Sequence, residues 1–105
     1  MTKPNHRAGK KDLARAVERV SRMEALFDRL TLVLHSTPDR IPEDAELREA
    51  AATLAAYQAS GDWMRDYELD EKGLLPADLK RGVLSQDALY DLLCSPGIEA
   101  VLADA

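Results

Sequence analysis

Cysteine, aromatic residues and long hydrophobic runs are all scarce in this chain of 105 residues. Cys94 is the single cysteine, so the chain cannot form an internal disulfide, and this fits a reducing compartment. The longest apolar run, around Leu30 to Leu34, is far too short to cross a membrane, and Met1 to Lys11 lacks the apolar segment of a secretory signal. We therefore expect a cytoplasmic protein with no membrane association.

The core must be built with few large rings, because the chain contains only one Trp, three Tyr and one Phe. Leucine, valine, alanine and methionine supply the remaining apolar volume. The sequence has no run of alternating β-branched residues between turn signals, so nothing in it predicts a strand. Alanine, leucine and charged residues favour helix. The length suits one all-α domain.

Charge is unevenly distributed. Residues 1–40 contain nine Lys/Arg and five Asp/Glu, a balance of 9 − 5 = +4, whereas residues 41–105 contain five and fourteen, a balance of 5 − 14 = −9. A basic half can indicate an anionic partner. We favour the simpler interpretation that the two halves pair with each other.

We expect residues 1–9 to form a flexible basic tail. Residues 10–105 are expected to form a single helical domain. A first long helix is expected from about Lys11 to His35, because apolar residues recur at alternating intervals of three and four. These residues are Leu13, Ala16, Val20, Met23, Phe27, Leu30 and Leu34.

A second helix is expected to follow a short break at Thr37-Pro38-Asp39, with Pro42 near its first turn. Its apolar stripe continues as far as Tyr67. A short connection between two long helices predicts an antiparallel hairpin. Gly61 either permits the two helices to approach closely or ends the second helix, with Asp62 capping the next one. We favour a single kinked helix.

The remainder of the chain predicts short elements packed over the open end of the hairpin. Residues 72–76 form a loop, and Pro76 opens a helical turn that Gly82 closes. Ser85 is the predicted N-cap of a helix over Gln86 to Cys94, and a short terminal helix covers Gly97 to Leu102. Leu84 and Leu89 occupy the two positions of a hydrophobic staple across the cap.

Asp62, Asp66 and Asp70 would line one face of a helix, because they are spaced four residues apart. Three carboxylates on one face could bind a hard cation such as magnesium. The segment has neither an EF-hand pattern nor a histidine partner, so we favour ion pairing. Lys80 or Arg81 is expected to reach Asp66 or Asp70 and to pin the loop to the helix.

Trp63 lies beside the apolar stripe, and we expect it to pack under the segment LKRGVLS with its indole N–H bonded to a loop carbonyl. Tyr57, Met64 and Tyr67 lie on the stripe itself and are assigned to packing.

Arg15, Arg22 and Arg29 recur every seven residues and share one face of the first helix, where they could contact nucleic acid. Intrahelical pairing is the simpler explanation. No catalytic constellation is present, because His6, His35 and Cys94 have no partners at catalytic spacing.

The segment from Tyr57 to Leu93 resembles a bacterial family described as domain of unknown function 4298. Gln86 stands where the family pattern has Glu, and Gly61 stands where it has a helix-forming residue. The resemblance implies a small bacterial helical protein and no activity, cofactor or catalytic residue. It rests on Tyr57, Ser60, Trp63, Asp66, Tyr67, Asp70, Glu71, Gly73, Pro76, the run Leu79 to Ser85, Asp87 and Tyr90.

The sequence thus predicts a long antiparallel helical hairpin with two or three short C-terminal helices packed against it. We expect a protein–protein interaction module rather than an enzyme, with an unidentified protein partner or a homodimer and with no cofactor, metal or nucleic acid. The alternatives are a metal-binding or enzymatic module on the acidic face and a weak anion or nucleic-acid binder through the basic helix. The residues expected to bind the partner or to hold the structural motif are Trp63, Asp66, Asp70, Glu71, Lys80, Arg81, Gly82 and Ser85.

Overall fold

The computed structural model describes residues 9–85 and 87–103, and the predicted basic tail lies almost wholly outside these ranges. The described part is all-α, as predicted, with no strand. In chain order the helices are α1 (Lys10–Ser36), α2 (Arg40–Glu43), α3 (Ala45–Ala59), α4 (Asp62–Glu71), a 3-10 helix (Gly82–Leu84), α5 (Ala88–Leu93) and α6 (Pro96–Ala103). None of them is long and apolar enough to cross a membrane.

The predicted antiparallel hairpin is formed by α1 with α3 and α4. Arg29, late in α1, pairs with Glu46 at the start of α3, whereas Arg19, earlier in α1, pairs with Asp66 in α4. The heptad positions of α1 face the core of the domain itself. Ala16, Val20, Met23 and Leu30 are buried, and the other three seam positions are half-buried.

The break between the long helices contains a short helix that the sequence did not predict. Pro42 lies in this one-turn α2 rather than at the start of the second long helix. The N-cap of α3 is Asp44, whose Oδ1 accepts hydrogen bonds from the backbone N–H groups of Glu46 (2.9 Å) and Leu47 (3.3 Å). An Asp side chain can satisfy these end groups, which a proline cannot.

The prediction of one kinked second helix is wrong, because α3 and α4 are separate helices. Gly61 lies between them in the left-handed region, with φ = 94°, a conformation that ends a regular helix and suits glycine. Asp62 is not the cap. Its backbone N–H donates to the Ser60 hydroxyl at 3.2 Å instead.

Residues 72–81 form a loop, and Gly73, with φ = 72°, follows the C-terminal end of α4. The predicted helical turn from Pro76 to Arg81 is reduced to one hydrogen-bonded turn, in which the Leu79 N–H donates to the Pro76 carbonyl at 3.2 Å, and it does not continue as a helix. Gly82 does not have a positive φ and does not end a helix. It is instead the first residue of the 3-10 helix. The loop is anchored by Leu75, which is buried.

The last two helices do not both pack over the open end of the hairpin, as the sequence predicted. α5 contacts the 3-10 helix and α3, whereas α6 contacts α3 and α2, which connects the long helices. The structure places Asp87 rather than Ser85 at the N-cap position of α5, which begins at Ala88. Ser85 ends the 3-10 helix and is exposed, and Gln86 lies outside the described residues. Leu84 and Leu89 are both buried, but with Asp87 at the cap position they no longer occupy the two staple positions that the sequence predicted.

Candidate functional site

Asp66 is the centre of a buried polar cluster that joins three helices. Its side chain is 0% exposed and accepts hydrogen bonds from Arg19 Nε at 2.9 Å, Arg19 Nη2 at 2.5 Å and the Tyr57 hydroxyl at 2.7 Å. The bidentate guanidinium neutralises a carboxylate that would otherwise be costly to bury. This cluster ties α1 to α3 and α4.

The protonation of the cluster follows from its contacts. Hydrogen bonds to Asp66 raise the pKa of Arg19 above its ordinary value, although partial burial acts in the opposite direction. Burial first, and then the hydrogen bond to Asp66, raise the pKa of Tyr57 far above its ordinary value. The phenol therefore stays a hydrogen-bond donor and the guanidinium stays charged. Such a closed set of bonds suits structure rather than proton transfer.

The loop is tied to α4 by Arg81, as the sequence predicted for Asp70. The guanidinium bonds the Asp70 carboxylate and the carbonyl of Pro76, and its Nε donates to the carbonyl of Leu79 at 3.1 Å. Neither Lys80 nor Arg81 reaches Asp66, because Arg19 occupies that carboxylate. Lys80 instead binds Asp28 of α1, with Nζ 3.0 Å from Oδ2.

Val83 is held through both of its backbone polar groups. The indole N–H of Trp63 donates to the Val83 carbonyl at 2.8 Å, which confirms the prediction for this tryptophan. From the other side, Glu24 Oε1 accepts the Val83 N–H at 2.8 Å. Trp63 also stacks on Tyr67, with ring centroids 5.1 Å apart and planes 13° apart. The 3-10 helix is thereby clamped between α1 and α4.

The remaining predicted residues lie around this network. Tyr57 is buried as assigned, but Met64 is 50% exposed and does not belong to the core. Glu71 is exposed at the end of α4, and its negative charge is the largest cause of a raised pKa at Tyr67. Gly82 approaches α1 closely: a Cβ placed on it would be 3.2 Å from Glu24 Oε2.

The three aspartates of the acidic face do not converge. Asp62 pairs with Arg65 at 3.0 Å, whereas Asp66 and Asp70 bind different arginines. Over residues 9–85 and 87–103, no three His, Cys, Asp or Glu side chains are arranged to hold a metal ion. Asp66 and Asp70 are used instead to join α4 to α1 and to the loop, whereas Asp62 pairs within α4.

The intrahelical pairing that the sequence favoured for the basic face of α1 is not found among the described residues. Arg15, Arg22 and Arg29 are all exposed. Arg29 also pairs with Glu46 of α3, with 3.3 Å between Nη2 and Oε1.

A groove of about 440 Å³ separates α1 from the loop that the network holds in place. The floor and one wall come from α1, and the other wall comes from the segment between Pro76 and Lys80. The lining side chains are Val17, Ser21, Glu24, Ala25, Asp28, Pro76, Asp78, Leu79 and Lys80. Its volume falls within the range of pockets that bind small molecules or single side chains.

Arg19 and Glu24 are central to this arrangement, and the sequence analysis missed both. Glu24 carried a signal, since it follows Val20 by four residues and precedes Phe27 by three, which places a charge on the apolar stripe. A charged residue on a buried helical face requires a partner. Arg19 carried no such signal, because it was one of several arginines in a basic helix.

No curated protein and no solved structure matches this chain. A family model described as "Domain of unknown function (DUF4298)" matches residues 20–99, well over half of the chain. The chain therefore belongs to the DUF4298 family, whose name assigns it no function.

Proposed function

We propose that this protein is a protein-binding module rather than an enzyme, and that it binds its partner in the groove between α1 and the loop of residues 76–80. The single observation that carries this proposal is that side-chain contacts hold this loop in one position against α1 and α4. The loop has no helix or strand of its own, yet side chains from α1 and α4 hold it at a fixed distance from the hairpin.

Four contacts supply the pinning. Trp63 and Glu24 hold Val83, Arg81 binds Asp70, and Lys80 binds Asp28. Because the groove is already shaped before a partner arrives, binding need not include the entropic cost of ordering the loop. The network therefore supports a role in which the loop presents a fixed surface.

The alternative functions have less support. The carboxylates of the acidic face are already engaged by Arg65, Arg19 and Arg81, which leaves no cluster for a cation. A homodimer through the heptad seam would require residues that already pack inside the domain. A second copy of the chain in the groove remains one outcome of the test below.

Affinity purification of the tagged full-length chain from its native cells, followed by mass spectrometry, tests the proposal. Ala25 is exposed on α1 and lines the groove, so Ala25→Trp should fill the groove without disturbing the core. Ala52→Trp, at an exposed position on α3, is the matched control. We expect a stoichiometric partner with the wild type and with Ala52→Trp that is lost with Ala25→Trp.

Two results would contradict the proposal. A partner retained by the folded Ala25→Trp variant would place the interface elsewhere on the surface. Recovery of the wild-type chain alone, together with a monomer in sedimentation velocity, would remove the protein-binding function. A dimer that Ala25→Trp disrupts would identify the partner as a second copy of the chain.

A further inference from the structure

We infer that the groove binds an extended peptide segment carrying an arginine or lysine side chain beside an aliphatic residue. This inference rests on the proposed function and adds the chemistry of the partner. Three features of the groove support it: its net charge, the burial and hydrogen bonding of Glu24, and the apolar atoms along its walls.

The groove is acidic although the helix that forms its floor is basic. Glu24, Asp28 and Asp78 line it, and Lys80 is the single base among the lining residues, a balance of 1 − 3 = −2. Lys80 already forms an ion pair with Asp28, with 3.0 Å between Nζ and Oδ2. A basic segment would therefore find complementary charge, whereas a phosphate backbone would be repelled.

Glu24 gives the charge a defined position. Its side chain is only 6% exposed, and the Val83 N–H holds one carboxylate oxygen. A carboxylate has about four acceptor positions, and within the described residues Glu24 takes part in no ion pair. A buried carboxylate is more stable with a cation beside it. A guanidinium or ammonium group entering the groove would supply that cation.

The walls suit the rest of such a side chain. Val17 and Ala25 on α1 and Pro76 and Leu79 of the loop supply apolar atoms to the lining of the groove. Arginine and lysine bury their methylene stems against apolar surfaces while the charged group finds polar partners. An adjacent aliphatic residue of the segment would contact the same apolar atoms. Purely acidic and purely polar segments would match neither the charge nor these walls.

Selection of a random twelve-residue peptide library on the full-length chain tests the inference. We expect the enriched peptides to contain Arg or Lys next to an aliphatic residue and to lose binding to Ala25→Trp. In fluorescence anisotropy, Glu24→Gln should weaken a selected peptide by about tenfold, since it removes the charge but leaves an oxygen to accept the Val83 N–H. Asp78→Lys should weaken it as well.

The control and the contrary results separate the inference from the proposed function. Glu68→Lys changes the net charge by the same amount as Asp78→Lys, but at an exposed position outside the groove. It should leave peptide binding unchanged. Basic peptides that bind Glu24→Gln and Asp78→Lys as tightly as the wild type would refute the inference. So would groove-dependent peptides without a basic residue, although the groove would then remain a binding site. Selection of no groove-dependent peptide would also overturn the inference, while the affinity purification decides the proposed function independently.

Discussion

Replacing Arg19 with methionine tests whether the buried Asp66 carboxylate depends on its ion pair. Arg19 provides two of the three hydrogen bonds to this carboxylate, which is fully buried. Removing one partner of a buried pair costs about 3–5 kcal/mol. Because the Arg19 side chain is 21% exposed and water can reach its position, we expect a loss near the lower end, about 3 kcal/mol. That is a large part of the roughly 5–15 kcal/mol that stabilises a typical domain.

Urea unfolding followed by far-ultraviolet circular dichroism measures this loss. Arg15→Met removes an exposed arginine from the same helix and should change the free energy of unfolding by no more than about 0.5 kcal/mol. The double variant Arg19→Met/Asp66→Asn should be more stable than Arg19→Met alone. The asparagine carries no charge, and its oxygen can still accept the Tyr57 hydroxyl.

Two results would refute this reasoning. Equal free energies of unfolding for Arg19→Met and Arg15→Met would show that the buried pair contributes no more than an exposed arginine. A double variant less stable than Arg19→Met would show that an uncompensated charge on Asp66 is not the cause of the loss.

Three further predictions concern single positions. The pKa of Tyr57 is raised in the fold, so its contribution to stability is complete below the unfolded pKa of about 10 and is lost as pH rises above that value. The urea midpoint should therefore fall less between pH 8 and pH 10.5 for Tyr57→Phe than for the wild type. An identical fall in both proteins would contradict this prediction. Gly82→Val should destabilise the fold by about 1–3 kcal/mol, because a Cβ there lies 3.2 Å from Glu24 Oε2. Gly82→Ala should cost less, and a valine variant that melts like the wild type would show that the 3-10 helix can move away from α1. Gly61→Ala should cost about 1–2 kcal/mol through its φ of 94° alone, since nothing lies within 4 Å of the added Cβ. Gly97→Ala, at a helical glycine without a positive φ whose added Cβ would lie 3.8 Å from Leu34 Cδ1, should not lower the thermal midpoint, and equal midpoints for the two alanine variants would refute the argument from backbone strain.

The residues that carry the family resemblance mostly hold the fold together. Tyr57 and Asp66 belong to the buried cluster that joins α1, α3 and α4, whereas Trp63, Asp70 and Arg81 hold the loop and the 3-10 helix to the hairpin. The resemblance over the segment from 57 to 93 therefore describes how the helices and this loop are held together. The wall of the groove contributed by α1 lies outside that segment, so the chemistry of the partner has to be sought in α1 as well.

Features that depend on neighbours in the chain were predictable. The three-and-four spacing in α1 determined a long helix, and the proline after it determined a break, because both act through the local backbone. The position of Trp63 was also predicted correctly. A large ring beside an apolar stripe is expected to be buried by another segment, and its indole N–H requires a hydrogen-bond acceptor there. Gly61 was misjudged because a glycine in a helical pattern is compatible with both a kink and a helix end.

Only the tertiary structure decided which charges meet. The sequence presents Arg15, Arg19, Arg22 and Arg29 as similar members of one basic helix, and their spacing does not reveal that Arg19 alone reaches Asp66. That choice depends on the angle and register at which α4 crosses α1, and these are set by packing among residues far apart in the chain. The same holds for Gly82, where an added Cβ would lie 3.2 Å from Glu24 Oε2 only because the chain returns to α1 after the loop. The sequence by itself determined the all-α class and the long first helix, whereas the groove exists only through contacts between residues distant in sequence.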